Sequence, residues 1–112
     1  MARRNAADVD RFFVALADPT RRRVVELLGR GAYRAGELAK EAGTSAPAMS
    51  RHLRVLLRAG VIADERPPED ARLRVFRLRP ESVVAVQAWL DQLEAEWDEQ
   101  LQHFKKHVER GS

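Results

Sequence analysis

The stretch 35-AGELAKEAGTSAPAMSRHLRVLLRAG-60 decides the fold of this 112-residue chain. Its first eight residues predict a short helix with Leu38 and Ala39 facing inward. Gly43 ends that helix, in the left-handed conformation that glycine tolerates. Ala39 is small enough to let a second helix cross closely. The spacing therefore predicts two short helices joined by a glycine turn.

The second helix of this pair combines an apolar stripe with strong positive charge. Thr44 or Ser45 caps its start, Pro47 lies in its first turn, where a missing N–H costs nothing, and Gly60 closes it. The inward stripe comprises Met49, Leu53, Leu56 and Leu57. The other faces carry Ser50, Arg51, Arg54 and Arg58. Such a helix packs through one side and offers cations to a partner on another.

The segments on either side predict further helices and a hairpin. Residues 8–17 have apolar side chains at helical spacing, which predicts a first helix. Asp18 is a typical N-cap, and Pro19 suits the first position of a second helix. Residues 61–66 and 73–78 predict two strands joined by the turn PPED. This hairpin carries Arg66, Arg72, Arg74, Arg77 and Arg79.

The predicted element order is α-α-α-α-β-β-α, because residues 80–108 predict one long C-terminal helix. This is a mostly α chain with a small β-hairpin. We predict a single winged helix-turn-helix domain over residues 1–112, with the helix-turn-helix at 35–60 and the wing at 61–79.

The net charge of +3 conceals an asymmetry along the chain. Residues 1–80 hold 17 Lys+Arg against 10 Asp+Glu, whereas residues 81–112 hold 3 against 7. A basic surface over the first two thirds favours a polyanionic partner. The chain has no cysteine, which excludes disulfides and thiolate chemistry.

The charged helix suits double-stranded DNA. In a helix-turn-helix, the second helix lies in the major groove with its N-terminal residues at base edges. That end carries Thr44, Ser45, Ser50, Arg51 and His52, and Arg54 follows. Arg72 and Arg74 flank the hairpin turn, from which they can reach phosphates or the minor groove. We predict that these residues bind DNA.

Three segments closely resemble ArsR/SmtB-type winged-helix repressors: FFVALADPTRRRVVELL, GELAKEAGTSAPAMSRHLRVLLRAGVI and RVFRL. The resemblance covers residues 9 to 108. It implies a homodimer that binds an operator and represses transcription, with the Ser45 to Arg54 segment, including Ala46 and Pro47, reading DNA. Family members often have glutamine where this chain has Ala46, so one base-reading hydrogen bond is expected to be missing.

The last helix predicts a subunit interface. Val86, Leu90, Leu93, Trp97, Leu101, Phe104 and Val108 follow each other at a mean spacing of 22/6, about 3.67 residues, the period of a straight helix. A domain of this size cannot bury all of them, so part of the stripe is expected to meet a partner. With the first helix, residues 8–17, residues 80–108 are predicted to form a dimer interface. Its members are Phe12, Phe13, Trp89, Leu90, Leu93, Trp97, Leu101 and Phe104.

Metal sensing is not expected. The positions that match the two cysteines of the family's arsenic-type site are Arg34 and Gly36, and Asp91 lacks the histidine that follows it in the zinc-type site. His103 and His107 share a helix face at a spacing that can chelate zinc, but structural zinc usually has four protein ligands. The resemblance is closest to the subgroup without metal sites, which includes autorepressors. We therefore expect no cofactor, and we favour a repressor without a small-molecule or metal effector.

Two other functions stay open at the level of sequence. One is a protein-interaction module that uses the apolar C-terminal helix, and the other is a metal-responsive repressor that uses His103 and His107. An enzyme is not expected, because there is no nucleophile–base pair, metal triad or phosphate loop. The chain has neither a signal peptide nor an apolar run of about 20 residues, so we expect a cytoplasmic protein without a membrane contact.

Overall fold

The computed structural model describes residues 2–111, with side chains from residue 7 onward. In chain order the elements of this part are α1 (Ala2–Ala15), α2 (Pro19–Leu28), β1 (Tyr33–Arg34), α3 (Ala35–Ala42), α4 (Ala46–Arg58), β2 (Ile62–Glu65), β3 (Val75–Leu78), α5 (Pro80–Glu96) and α6 (Asp98–Gly111). The predicted class, mostly helical with a small β-hairpin, is confirmed.

The core lies between the first four helices and the sheet. Its fully buried large side chains are Val24, Leu27, Leu38, Met49, Leu56, Val61 and Ile62. Each of the four central elements, α2, α3, α4 and β2, therefore contributes at least one of them. Helix α1 packs along α5 on one side of this core. This arrangement fixes α4 by its inward stripe, as the sequence pattern predicted.

The start of α2 shows the predicted cap. The Oδ1 atom of Asp18 accepts hydrogen bonds from the backbone N–H groups of Thr20 at 2.8 Å and Arg21 at 3.2 Å, and Pro19 follows as the first helical residue. Burial on its own would raise the pKa of Asp18. The two hydrogen bonds, together with the charges of His52 and Arg21, outweigh it and lower that pKa below 3.8.

The wing belongs to a three-stranded sheet. The sequence predicted its two hairpin strands, β2 and β3, but not the third strand, β1. Strand β3 lies in the middle and pairs antiparallel with β2 on one side and with β1 on the other. Tyr33 pairs with Phe76, and Arg34 pairs with Val75. A two-residue strand is too short to show a period of two in the sequence. It forms because β3 offers an unpaired edge.

The C-terminal helix is also not continuous, and the prediction of one helix over residues 80–108 is wrong. Helix α5 ends at Glu96, and Trp97 has φ −106° and ψ 13°, outside the helical region. Its N–H is shared between the carbonyls of Leu93 and Glu94, as is common at helix ends, and α6 starts at Asp98. Residues 81–110 contain no glycine or proline, so no helix breaker marks this position. No helix in the described part is both long and apolar enough to cross a membrane.

Candidate nucleic-acid interface

The turn between α3 and α4 has the geometry of a helix-turn-helix. Gly43 adopts φ 67° and ψ 36°, and its N–H donates to the carbonyl of Lys40 at 3.2 Å. The N–H of Thr44 donates to the carbonyl of Ala39 at 3.0 Å, so both carbonyls at the end of α3 are satisfied. Ser45, not Thr44, caps α4, since its Oγ accepts from the N–H of Ala48 at 3.2 Å. This compact turn sets the angle at which α4 leaves α3.

Most of the predicted DNA-binding residues of α4 and its cap lie on the solvent side. Exposed members are Ser45, Ala46, Pro47, Ser50, Arg51 and Arg54. Thr44 and His52 are half-buried. The opposite face holds Met49, Leu53 and Leu56, all buried. The helix thus presents hydroxyl and guanidinium groups to solvent while its stripe anchors it.

The guanidinium groups of Arg51 and Arg54 have no hydrogen-bond or ion-pair partner in the described part of the chain. An unpaired guanidinium loses no protein partner when it meets a phosphate or a guanine edge, and it can make two parallel hydrogen bonds there.

The wing holds its two predicted DNA-binding arginines differently. The side chain of Arg72 is 94% exposed, with its Nε 3.5 Å from Asp70 Oδ1. Arg74 is half as exposed, its Nε lies 2.8 Å from Asp64 Oδ2, and its guanidinium lies 5.0 Å from the centre of the Phe76 ring. Arg72 therefore projects from the loop, whereas Arg74 lies against the sheet.

Helix α4 and the wing share one concave surface. A depression of about 190 Å³ lies between α4 and the sheet, and Ser50, Arg54 and Arg74 all line it. The sequence placed these residues in separate elements, and the fold brings them together. An extended anion that lies along this side meets α4 and the wing at once.

Comparisons with known proteins agree with this geometry. Residues 16–65 match a family model described as a helix-turn-helix domain. The chain is 44% identical over 82 residues, 73% of its length and 74% of the relative's, to the HTH-type transcriptional regulator Rv2034 of Mycobacterium tuberculosis. It is 44% identical over 54 residues, 48% of its length and 60% of the relative's, to the transcriptional repressor SdpR of Bacillus subtilis.

A solved structure gives the same result. The crystal structure of an ArsR family transcriptional regulator, RHA00566, is 34% identical and superposes with a TM-score of 0.71 over 81% of this chain and 91% of that one. The chain belongs to the ArsR family of transcriptional regulators. Its winged helix-turn-helix fold, predicted from the sequence, is confirmed.

One connection in this ArsR-family regulator was not predictable from the sequence. Arg21 donates from Nε to the carbonyl of Ala15 at the end of α1, and its Nη1 lies 3.4 Å from Nδ1 of His52 on α4. His52, predicted to bind DNA, is therefore directed toward α2. The run DPTRRR contained the signal, but three adjacent arginines do not indicate which one turns inward.

Five of the eight residues predicted for a dimer interface are exposed apolar side chains on α1, α5 and α6 or at the junction of α5 and α6. Phe13, Trp89, Leu90, Trp97 and Phe104 are exposed, and Leu93 and Leu101 are half-buried. The rings of Phe13 and Trp89 meet edge to face with centroids 5.6 Å apart, which joins α1 to α5. Phe12 differs from the others, because only 8% of it is exposed and it packs in the core.

The two histidines considered for a metal site lie on α6. Both of them, His103 and His107, are exposed. In the described part of the chain, no group of three or more His, Cys, Asp or Glu side chains could hold a metal ion. Glu99, one helical turn before His103, does not complete such a group.

Proposed function

We propose that this regulator acts as a homodimeric repressor that binds double-stranded DNA through α4 and the wing. The observation that carries the proposal is the solvent face of α4. This face combines Arg51 and Arg54, which are unpaired within residues 7–111, with the hydroxyl of Ser50. The helix that carries it starts directly after the helix-turn-helix turn.

We assign base contacts to the cap and first turns of α4, and phosphate contacts to Arg54 and the two wing arginines. Ser45, Ser50 and Arg51 belong to the cap and first turns of α4, and this is the end of a recognition helix that approaches base edges in other helix-turn-helix proteins. Thr44, Ala46, Pro47 and His52 complete that end, with His52 positioned by Arg21. Arg54 and Arg74 line the depression between α4 and the sheet, where the DNA backbone would pass, and Arg72 projects from the loop before β3.

The exposed apolar face supports a two-fold dimer. A patch of exposed aromatic side chains, in which Phe104 is 64% exposed, is uncommon on a monomer and typical of a protein interface. A two-fold axis would place two recognition helices about one DNA turn, roughly 34 Å, apart. We therefore expect a palindromic operator. Because its proposed ligand is chromosomal DNA, we expect the protein in the cytoplasm. Since the proposed function is binding alone, we expect neither catalysis nor a cofactor.

Selection of bound duplexes from a random pool tests the proposal. The wild type should enrich a palindrome, and Arg51→Ala should lose preference at one base pair per half-site, worth about 1–3 kcal/mol. Arg30→Ala is the matched control, because Arg30 is an exposed arginine in the turn after α2. The proposal fails if the wild type enriches no sequence, or if its affinity for duplex DNA does not fall with salt.

A further inference from the structure

Two adjoining concave surfaces lie on the side of α1 that faces α4 and α5. The first, the arginine cleft, has a volume of about 480 Å³ and is lined by Asp8, Arg11, Arg58, Arg79, Glu81 and Ser82. The second, the valine depression, has a volume of about 350 Å³ and is lined by Asp10, Arg11, Val14, Ala15, Val55, Arg58 and Ala59. Arg11, Arg58 and Ala59 line both. The two therefore form one continuous surface, polar at one end and apolar at the other.

The cationic end can accept an external anion. Within residues 7–111 Arg58 makes no hydrogen bond or ion pair. Arg11 lies 3.8 Å from Asp8, and Arg79 lies 3.4 Å from Glu81. These pairs are exposed, and exposed pairs contribute little, so an incoming carboxylate can compete with Asp8 and Glu81 for Arg11 and Arg79.

The other end is mostly apolar, with Asp10 as its acidic side chain, and it is open to solvent. Val14 on α1 is 67% exposed, and Val55 on α4 is also exposed. Covering these methyl groups removes apolar surface from water, which favours binding. The volumes fall within the usual range of small-molecule sites.

We propose that this surface binds an organic carboxylate with an apolar body. Its carboxylate lies between Arg58 and Arg11, whose planar guanidinium groups match two carboxylate oxygens. Its hydrocarbon body covers Val14 and Val55. A small inorganic anion would leave the valines exposed, and a neutral apolar molecule would leave the arginines without a partner.

Such a ligand would regulate DNA binding, an inference that rests on the function proposed above. The surface touches α1 and α5, which carry the apolar face, and the end of α4, which is the proposed recognition helix. A ligand that holds these three elements changes the angle of α4 relative to the dimer. By linkage, DNA then changes the affinity for the ligand by the same factor.

Calorimetric titration of the full chain with sodium octanoate tests the proposal. Acetate, which lacks the apolar body, and octanamide, which lacks the charge, should each bind at least about tenfold more weakly than octanoate. Arg58→Ala should weaken octanoate binding by about tenfold or more, and Val14→Asn should weaken octanoate but not acetate. Arg30→Ala is the control and should bind like the wild type. Both test positions are exposed, and circular dichroism checks that the variants fold.

Several results would overturn the site. One is that octanoate binds Arg58→Ala as tightly as the wild type, and another is that acetate binds as tightly as octanoate. A third is that octanoate binding disappears as rising protein concentration drives dimerisation, because a second copy would then cover the surface.

DNA affinity is measured on the same samples without octanoate. Intact DNA binding without octanoate binding refutes the site alone, and the reverse result refutes the proposed function alone. If Arg58→Ala lowers the salt slope of DNA binding and leaves octanoate binding unchanged, Arg58 is a phosphate ligand and the site is refuted.

Discussion

The two wing arginines should differ in how strongly they make DNA binding depend on salt. Arg72 is almost fully exposed, with only a long contact to Asp70, whereas Arg74 is paired with Asp64 at 2.8 Å and lies over the Phe76 ring. Each phosphate contact contributes about 0.9 to the slope of log K against log salt, so Arg72→Ala in a dimer should reduce the slope by roughly 1.8. Between 50 and 200 mM salt this corresponds to roughly tenfold in affinity.

Arg74 has to give up its own contacts before it reaches a phosphate. A surface ion pair and an exposed cation–π contact together hold it by roughly 1–2 kcal/mol, which offsets most of what a phosphate contact would add. Arg74→Ala should therefore reduce the slope by clearly less than Arg72→Ala. Asp64→Asn should release Arg74 and raise affinity at low salt.

Fluorescence anisotropy with a labelled operator, titrated at four or more salt concentrations, measures these slopes. The double variant Asp64→Asn/Arg74→Ala separates the release of Arg74 from the loss of a negative charge near DNA. Equal slope losses for Arg72→Ala and Arg74→Ala would refute the reasoning, since the Asp64 pair would then have no effect on binding.

Three further predictions concern stability and assembly. Gly43→Ala should lower the free energy of unfolding by about 1–2 kcal/mol in urea titrations, because φ 67° strains a residue with a Cβ, and an unchanged midpoint would contradict this. Asp18→Ala should cost about 1 kcal/mol at pH 7 through the lost cap. Because folding lowers the pKa of Asp18, the contribution of this side chain to the free energy of unfolding is present above pH 3.8 and is lost as pH falls through the folded pKa. The wild type and Asp18→Ala should therefore converge in stability at low pH, and a difference that stays constant with pH would rule this out. Phe104→Ser should weaken dimerisation at least about tenfold in sedimentation experiments, whereas Val84→Ser, an exposed apolar change away from the stripe, should not; equal effects would argue against the proposed interface.

Features that depend on neighbours in the chain were predictable. The end of α3 at Gly43, the start of α2 at Asp18 and the inward stripe of α4 follow from residues within a few positions of each other. The exposed arginines of α4 followed in turn, because a helix with one buried stripe must direct the rest outward. The spacing of residues in α4 therefore suffices to locate the end of the helix that we propose contacts DNA.

Features that depend on distant partners were not predictable. Strand β1 exists because the edge of β3 lies beside it, more than 40 residues away in sequence. The contact of Arg21 with His52 and the pairing of Arg74 with Asp64 depend on which side chains the fold brings together. The break at Trp97 carries no glycine or proline to announce it.

By itself, the sequence determined the helices of the helix-turn-helix, the cationic face of α4 and the surplus of apolar side chains near the C-terminus, because these are local properties of spacing and residue type. Only the tertiary structure decided which arginines are free and which are engaged, that Phe12 is core while Phe13 is surface, and that Arg11, Arg58, Val14 and Val55 line one continuous surface. The reason is physical: the free energy of a charge or an apolar group depends on what surrounds it in space, and those surroundings come from parts of the chain that are far apart in sequence.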